Sequence, residues 1–238
     1  VILTLTQSLR RDLAEVYHIT RKEKIMVLPL GLDLEPFAQT PRKSGRFRQQ
    51  WNIPADTPLV GIAGRFVPVK NHALFLEAAA LIRQQRPSAD VHFVMIGDGE
   101  LRNEVETQID ELKLRECITL TGWQRDLTTA YSDLDVFVIS SVNEGTPVTV
   151  IEALSAGCPV VTTAVGGLPD LLEGGNFGTL VPTEDVAALA DGIIKVLDNP
   201  PDAKVAQAAM LDRYGINRLV SDLDSLYRGL LARKRSST

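Results

Sequence analysis

Between residues 58 and 198, short apolar runs rich in β-branched residues alternate with longer segments of helical periodicity. The runs are PLVGIA (58–63), VHFVMI (91–96), CITL (117–120), DVFVIS (135–140), PVVTT (159–163) and TLV (179–181). Each run is continuously apolar, whereas a strand with one solvated face alternates apolar and polar residues, so burial on both faces is indicated. The pattern predicts one α/β domain with a parallel sheet of about six strands flanked by helices.

Shorter segments flank this domain. Residues 1–30 have the pattern of a buried strand (VILTLT), a helix and a second strand, and residues 36–57 form a polar connector with three prolines and a short helix. Residues 202–234 are helical, with a break near Tyr214–Gly215. Because the chain starts with Val inside a strand-like run, we expect it to be a piece of a longer protein.

Composition excludes several classes of function. Acidic residues outnumber basic residues by 30 to 25, so a general nucleic-acid binder, which depends on neutralising phosphates, is not expected. Cys117 and Cys158 are too few for a disulfide framework or a zinc site. Both lie beside apolar runs and are predicted to be buried free thiols, which fits a cytoplasmic location. The histidines His18, His72 and His92 have no metal-ligand spacing.

Two strand ends in this domain carry unusual loops. The run ending at residue 63 continues into Gly64 and Arg65, and the loop reaches Lys70 before the next helix. Two cations near the amino end of a helix favour an anion site, although a solvated loop with incidental charges has the same spacing. In MIGDGE, Gly97 follows a strand and lets a ligand approach the backbone closely, but a plain turn explains that motif equally well.

A third strand end, SSVNEGTPVTVIEALSAGCPVV, carries the strongest signal. Thr146 is a favourable N-cap and Pro147 a favourable first helical residue, so we expect a helix that begins near residue 147. Glu144 on the loop and Glu152 on the helix bracket this helix start. Helix-dipole stabilisation would explain Glu152, and a surface loop would explain Glu144. The backbone amides expected to face a ligand are those of Gly145, Thr146 and Val148.

The segments GRFVPVKNH and EGTPVTVIEALSAGCPVV together resemble the family 4 retaining glycosyltransferases, which have the GT-B fold. VGGLPDLL, TGW at 121–123 and VLPLGLD also look like segments of that family. The resemblance covers mostly the carboxyl-terminal, nucleotide-sugar-binding half, which is Rossmann-like. It implies that residues 1–35 are the end of an acceptor-side domain with a hinge at Gly31 and Asp33. Residues 36–200 would be the donor-binding domain, and residues 201–238 carboxyl-terminal helices.

The resemblance also implies roles for individual residues. Arg65 and Lys70 match the pair that holds the donor diphosphate and stabilises it as it leaves, which removes the need for a metal ion. Glu144 and Glu152 match the Glu-x7-Glu motif, in which the first acid contacts the sugar hydroxyls and the second the ribose. Residues matching the loops around phosphate and sugar are Gly64, Gly97, Gly145, Thr146, Pro147 and Val148. Residues matching the surroundings of the base are Gly122, Trp123 and Arg125.

The implied activity is transfer of a glycosyl group from a nucleotide diphosphate sugar to an acceptor, with retention of configuration and without a cofactor. A glycan, lipid or small-molecule acceptor would bind the missing amino-terminal domain, so the fragment alone is expected to be inactive. The alternative is a nucleotide-sugar-binding module without transfer activity. A sugar phosphorylase or a nucleotide-sugar epimerase fits less well, because no pyridoxal phosphate lysine segment is found and epimerases lack the paired glutamates.

Several other features have structural interpretations that we favour. Asp133 and Asp135 match the D-x-D metal motif of another glycosyltransferase fold. Asp133 is expected to end a helix and Asp135 to open the next strand, so both lie at the amino end of that strand, away from the ligand edge. His72 is expected to pack at a helix start, although it could approach a phosphate. His92 is expected to be a packed or edge residue of a strand. Trp123 could be a core or rim residue instead of a base-stacking one.

The last helix has an apolar face and a basic end. We expect the leucine face to pack back on the amino-terminal half, and the cations to complement the negative end of the helix dipole. A solvated helix end is favoured over contact with a membrane surface. The residues concerned are Leu219, Leu223, Leu226, Leu230, Arg233, Lys234 and Arg235.

Overall fold

The continuous apolar runs form a six-stranded parallel sheet, as predicted. We describe this in a computed structural model that covers residues 1–86 and 90–236. Within these residues the strands are β1 (Ile2–Thr4), β2 (Ile25–Val27), β3 (Leu59–Ala63), β4 (His92–Ile96), β5 (Ile118–Gly122), β6 (Val136–Ile139), β7 (Val160–Thr163) and β8 (Thr179–Val181). The large sheet has the order β5-β4-β3-β6-β7-β8.

Helices lie between the strands of this sheet and cover both of its faces. The helices of all the described residues are α1 (Gln7–Arg11), α2 (Glu35–Gln39), α3 (Arg46–Gln50), α4 (His72–Gln85), α5 (Arg102–Glu111), α6 (Thr128–Asp133), α7 (Val148–Ser155), α8 (Leu168–Leu171), α9 (Val186–Asp198), α10 (Lys204–Tyr214) and α11 (Ile216–Ser236). The break between α10 and α11 at Gly215 was predicted. The side chains of Arg233, Lys234 and Arg235 lie outside the described residues, so the interpretation of the basic helix end stays a prediction.

The strand order places a crevice at the centre of the sheet. The chain enters at β3, continues outward through β4 and β5, then returns to pair β6 with β3 and continues outward through β7 and β8. The connections that follow β3 therefore lead toward one edge of the sheet, and those that follow β6 lead toward the other edge. In doubly wound sheets a ligand binds at this point, beyond the carboxyl ends of the strands.

Apolar side chains of α4 and α9 form much of the core on one face. Leu74, Ala78 and Ile82 recur at helical spacing on α4 and are buried, and Ile193 of α9 packs into the same cluster as Phe93 of β4. The strands β3, β6 and β7 are buried throughout, which confirms that both of their faces are covered.

The chain divides into two compact units, one of residues 36–207 and one of residues 1–35 with 208–238. In the second unit, β1 and β2 form a two-stranded parallel sheet. The expected burial of β1 is wrong, because Ile2 and Leu3 are 36% and 45% exposed. A sheet of two strands leaves apolar side chains uncovered where no layer packs on them. The assignment of residues 1–35 to an acceptor-side domain stays a prediction.

The segment predicted to be a hinge is attached to the start of α11. Leu32 pairs with Gly215, and Arg218 donates hydrogen bonds to the carbonyl oxygens of Pro29 and Leu30. Gly31 lies so close to Leu219 that a Cβ atom there would overlap its side chain, while Asp33 is exposed. Close packing therefore requires glycine at residue 31; the hinge role is still a prediction.

Within residues 1–86 and 90–236, no helix combines the length and the apolar content needed to cross a membrane.

Candidate functional site

Glycines at the carboxyl ends of β3, β4 and β5 bring three loops into contact. The amide of Gly64 donates to the carbonyl of Ile96, and the amide of Gly97 donates to the carbonyl of Gly122, both at 2.9 Å. Gly97 has a φ of 142°, and a Cβ atom there would overlap the carbonyl oxygen of Gly64. Only glycine satisfies both the dihedral angle and the close approach, so backbone rather than side chains lines this edge.

The loop after β3 is held against the loop after β6, across the central crevice. The Ser140 hydroxyl donates to the carbonyl of Lys70 at 2.9 Å, and the Val142 amide donates to the carbonyl of Val69 at 3.0 Å. The Lys70 ammonium reaches the Glu144 carboxylate, with 2.6 Å between Nζ and Oε1. Two residues 74 positions apart in sequence thus form an ion pair at the edge where a ligand is expected.

Glu144 is a largely buried carboxylate with two hydrogen-bond donors. Its side chain is 9% exposed, and the buried Ser141 hydroxyl donates to the same oxygen that Lys70 contacts, also at 2.6 Å. Burial of an acid is costly unless such donors compensate it. The arrangement fixes one carboxylate oxygen, and a carboxylate accepts hydrogen bonds at both oxygens.

Two glycines after β7 support the backbone of this loop. The Gly167 amide donates to the Glu144 carbonyl at 3.0 Å. Gly166 has a φ of 55°, and a Cβ atom there would overlap the same carbonyl oxygen. A Cβ atom on Gly167 would overlap the carbonyl oxygen of Gly145. The backbone at residues 144 and 145 is therefore positioned by close contact with two residues that have no side chain.

Helix α7 starts one residue later than predicted. Its N-cap is Pro147 rather than Thr146, and no side chain caps it. The first backbone amides that bond to the Pro147 carbonyl are those of Val150 and Ile151. Proline precedes the helix here because its ψ of 98° is extended, whereas a first helical residue needs a helical ψ. The amides of Val148 and Thr149 lie ahead of these bonds, and such helix starts attract anions.

Glu152 lies on the second turn of α7 and contacts a buried tyrosine. The Tyr131 hydroxyl donates to Glu152 Oε2 at 3.3 Å. Burial raises the pKa of Glu152, and the hydrogen bond from Tyr131 opposes that rise. Burial and the nearby Glu152 raise the pKa of Tyr131 well above 10, so its hydroxyl keeps its proton at neutral pH.

Three predicted site residues are exposed at the same edge. Arg65 extends into solvent and has no ion pair within residues 1–86 and 90–232. Trp123 is 64% exposed, which excludes the core interpretation and leaves a rim or stacking role. Arg125 is also exposed. These side chains remain available to a ligand, whereas Lys70, Glu144 and Glu152 already have protein partners.

His72 is the first residue of α4 and lies beside Lys70. It is 3% exposed and packs edge-on against Phe66, with 4.7 Å between ring centroids. Burial, assisted by the Lys70 charge, lowers the pKa of His72 to about 4. The packing interpretation of His72 is therefore confirmed. The imidazole is neutral at pH 7, so Lys70 and Arg65 are the cations of this loop.

The aspartates of the D-x-D sequence make structural hydrogen bonds and ion pairs at the amino ends of the strands, opposite the candidate site. Asp133 accepts hydrogen bonds from the amides of Gly45 and Phe47 at 2.7 and 2.9 Å. Asp135 pairs with Lys43 and Arg48. The predicted place of both acids, at the amino end of β6, is confirmed. In the described part of the chain, no group of three or more His, Cys, Asp or Glu side chains could hold a metal ion.

Cys117 and Cys158 are buried free thiols, as predicted. His92 lies on β4, where its Nε2 is 2.9 Å from the Thr119 hydroxyl, so its structural interpretation is also confirmed.

Several residues that build this site were not predicted from the sequence. Ser140 and Ser141 fix the Lys70 and Glu144 loops, Tyr131 contacts Glu152, and Gly166 supports the Glu144 backbone. A pair of serines directly after a buried apolar strand, and a glycine pair directly after another strand, were the available signals. For Tyr131 there was none, because a tyrosine in a short helix is an ordinary core residue.

The strand order and the loops at the carboxyl edge define a doubly wound α/β domain of the GT-B type. The family "Glycosyl transferases group 1" matches residues 43–217. The chain belongs to this family.

Similar proteins share this fold over nearly the whole chain. A crystal structure of Anabaena HepE in complex with UDP and glucose superposes with a TM-score of 0.84, at 23% identity over 96% of this chain and 62% of that one. Sucrose-phosphate synthase from Thermosynechococcus elongatus gives 0.81, at 26% identity over 97% and 58%.

Curated relatives are similar over a comparable range. The UDP-Gal:alpha-D-GlcNAc-diphosphoundecaprenol alpha-1,3-galactosyltransferase of Escherichia coli is 28% identical, over 89% of this chain and 56% of its own length. A D-inositol 3-phosphate glycosyltransferase of Corynebacterium jeikeium is 32% identical, over 82% and 48%. The chain thus spans about half the length of these relatives.

Proposed function

We propose that this chain is the donor-binding half of a family 4 glycosyltransferase, which binds a nucleotide diphosphate sugar and transfers the sugar with retention of configuration. The observation that carries the proposal is the Lys70–Glu144 ion pair across the central crevice. It joins a cation suited to a diphosphate and an acid suited to sugar hydroxyls at the edge where doubly wound sheets bind ligands.

Charge development during transfer supports these roles. As the glycosidic bond breaks, negative charge grows on the leaving diphosphate and positive charge on the sugar. Lys70 and Arg65 would stabilise the diphosphate together with the amides at the start of α7. Glu144 would accept hydrogen bonds from sugar hydroxyls and oppose the positive charge. Because fixed cations neutralise the leaving group, the proposed reaction needs no metal ion.

The other assignments follow the same geometry. Glu152 would accept hydrogen bonds from the ribose, and Trp123 and Arg125 would lie beside the base. The acceptor would bind a domain contributed by the rest of a longer protein, as the half-length match to the relatives suggests. The Escherichia coli relative is named for UDP-Gal, and the HepE structure is a complex with UDP and glucose, so uridine nucleotides are the first probes to use.

The proposal is tested by thermal shift and calorimetry with the diphosphates and diphosphate sugars of uridine, guanosine and adenosine, in the presence of a chelator. We expect one nucleotide to bind in the chelator and to raise the melting temperature. At a free concentration of 100 times Kd the stabilisation is about 2.7 kcal/mol. We also expect no transfer to an acceptor by the 238 residues alone.

Different outcomes contradict different parts of the proposal. Binding that is lost in chelator and restored by manganese would contradict the metal-free mechanism. Robust transfer by the chain alone would contradict the two-half arrangement. If no nucleotide binds, the proposed function is wrong.

A further inference from the structure

Ring packing and backbone hydrogen bonds hold Tyr131 in place. The side chain is fully buried, and its ring packs on Phe137, edge-on with 5.2 Å between centroids, and on Phe37 at 5.9 Å. Its carbonyl oxygen accepts a hydrogen bond from Arg42, and its amide donates to the Leu127 carbonyl. The phenol is therefore a rigid support whose polar end meets a carboxylate.

The hydroxyl of Tyr131 contacts only one of the two Glu152 oxygens. It donates to Oε2, and no other hydrogen bond to this carboxylate involves the described residues. A glutamate side chain has three rotatable bonds and can point in several directions. A single fixed hydrogen-bond donor limits these directions, and so limits where the second carboxylate oxygen points. The tyrosine hydroxyl keeps its proton at neutral pH and always acts as the donor.

The short helix that carries Tyr131 follows the segment expected to contact the base. Asp126 lies two residues before the start of α6 and accepts hydrogen bonds from the amide and the hydroxyl of Thr128 at 2.8 and 2.7 Å. Arg125 directly precedes Asp126. One short element therefore links the predicted base-contacting residues to the group that orients Glu152.

We propose that Tyr131 is a positioning residue that directs Glu152 toward the ribose hydroxyls and so makes the site discriminate ribonucleotides from deoxyribonucleotides. This inference rests on the proposed function, in which Glu152 binds the ribose. Tyr131 does not touch the nucleotide. It acts by holding the carboxylate in the one orientation from which it accepts the hydroxyl hydrogen bonds.

The test compares UDP with 2′-deoxy-UDP and 3′-deoxy-UDP by calorimetry on the wild-type chain and on Tyr131→Phe. If the chain prefers guanosine or adenosine, the corresponding series replaces the uridine series. Wild type should bind the ribonucleotide at least about tenfold more tightly than the deoxy form that lacks the contacted hydroxyl. In Tyr131→Phe this ratio should fall below about threefold, because ribonucleotide affinity drops while the affinity for that deoxy form stays the same.

Two further variants control the experiment. Glu152→Gln should reduce the ratio in the same way. Tyr17→Phe removes a hydroxyl from a tyrosine that is 65% exposed, and should leave every affinity unchanged. Phenylalanine keeps the ring of Tyr131, and retained binding of the deoxy nucleotide itself shows that Tyr131→Phe is folded.

The possible results distinguish failure of the positioning role from failure of the proposed function. A wild-type ratio that persists in Tyr131→Phe, or an equal loss of ribo and deoxy affinity, overturns the positioning role and leaves the proposed function intact. A wild type that binds both forms equally overturns the ribose role of Glu152, and the positioning role with it. A chain that binds no nucleoside diphosphate overturns the proposed function and this inference together.

Discussion

Replacing Lys70 with alanine should reduce nucleoside diphosphate affinity by about 10- to 100-fold, because a hydrogen bond to a charged group contributes about 1.5–3 kcal/mol. The same change should also lower the free energy of unfolding by about 1–3 kcal/mol. Glu144 would then remain largely buried without its cation, with Ser141 as the donor that is left. Calorimetric titration and urea denaturation measure the two effects.

Replacing Arg65 should change ligand affinity without changing the stability of the fold. It is exposed and has no ion pair in the described part of the chain, so Arg65→Ala should weaken diphosphate binding about tenfold or more. Its free energy of unfolding should change by less than about 0.5 kcal/mol. Lys195→Ala, on the exposed face of α9, is the matched control and should change neither quantity. Unchanged nucleotide affinity in both Arg65→Ala and Lys70→Ala would refute the diphosphate assignment.

Replacing Gly166 with alanine should destabilise the chain by about 2–5 kcal/mol. The left-handed backbone at a φ of 55° costs a side-chain-bearing residue about 1–2 kcal/mol. The new Cβ atom would also overlap the Glu144 carbonyl oxygen, and relief of such overlap costs about 1–3 kcal/mol more. Because the Glu144 loop must move to relieve it, nucleotide affinity should fall as well.

Gly174 provides a closely matched control for Gly166. It has a φ of 65°, and a Cβ atom there would meet nothing within 4 Å. Gly174→Ala should therefore cost only the backbone term of about 1–2 kcal/mol and leave nucleotide affinity unchanged. Equal losses of stability in the two variants, measured by urea denaturation, would show that contact with the Glu144 loop is not what requires glycine at residue 166.

The sheet could be predicted because its strands are continuous apolar runs, a pattern typical of strands covered on both faces. The pairing of Lys70 with Glu144 could not be predicted, because it depends on β6 pairing with β3. The periodicity of apolar residues does not indicate the order of strands in a sheet. Ser140 and Tyr131 were missed because their partners, the Lys70 carbonyl and the Glu152 carboxylate, are distant from them in sequence. Ser141 donates to Glu144 three residues further on, and a serine beside an acid in a loop does not by itself indicate that contact.

Two local errors have simple physical causes. The start of α7 was placed at Pro147 because proline is common as a first helical residue, but here its extended ψ makes it the N-cap. The burial of β1 was inferred from its apolar sequence, but burial also requires a second layer. Apolar composition predicts the strand and not what covers it.

The central claim is that Arg65, Lys70 and the amino end of α7 hold the diphosphate of a nucleotide. A crystal structure of the chain with UDP, or with whichever diphosphate binds best, tests it most directly. We expect diphosphate oxygens within about 3.2 Å of Lys70 Nζ and of amides at the start of α7, with the ribose at Glu152. A nucleotide bound elsewhere would contradict the claim; an example is the groove of about 550 Å³ whose lining includes Arg83, Lys113 and Arg115.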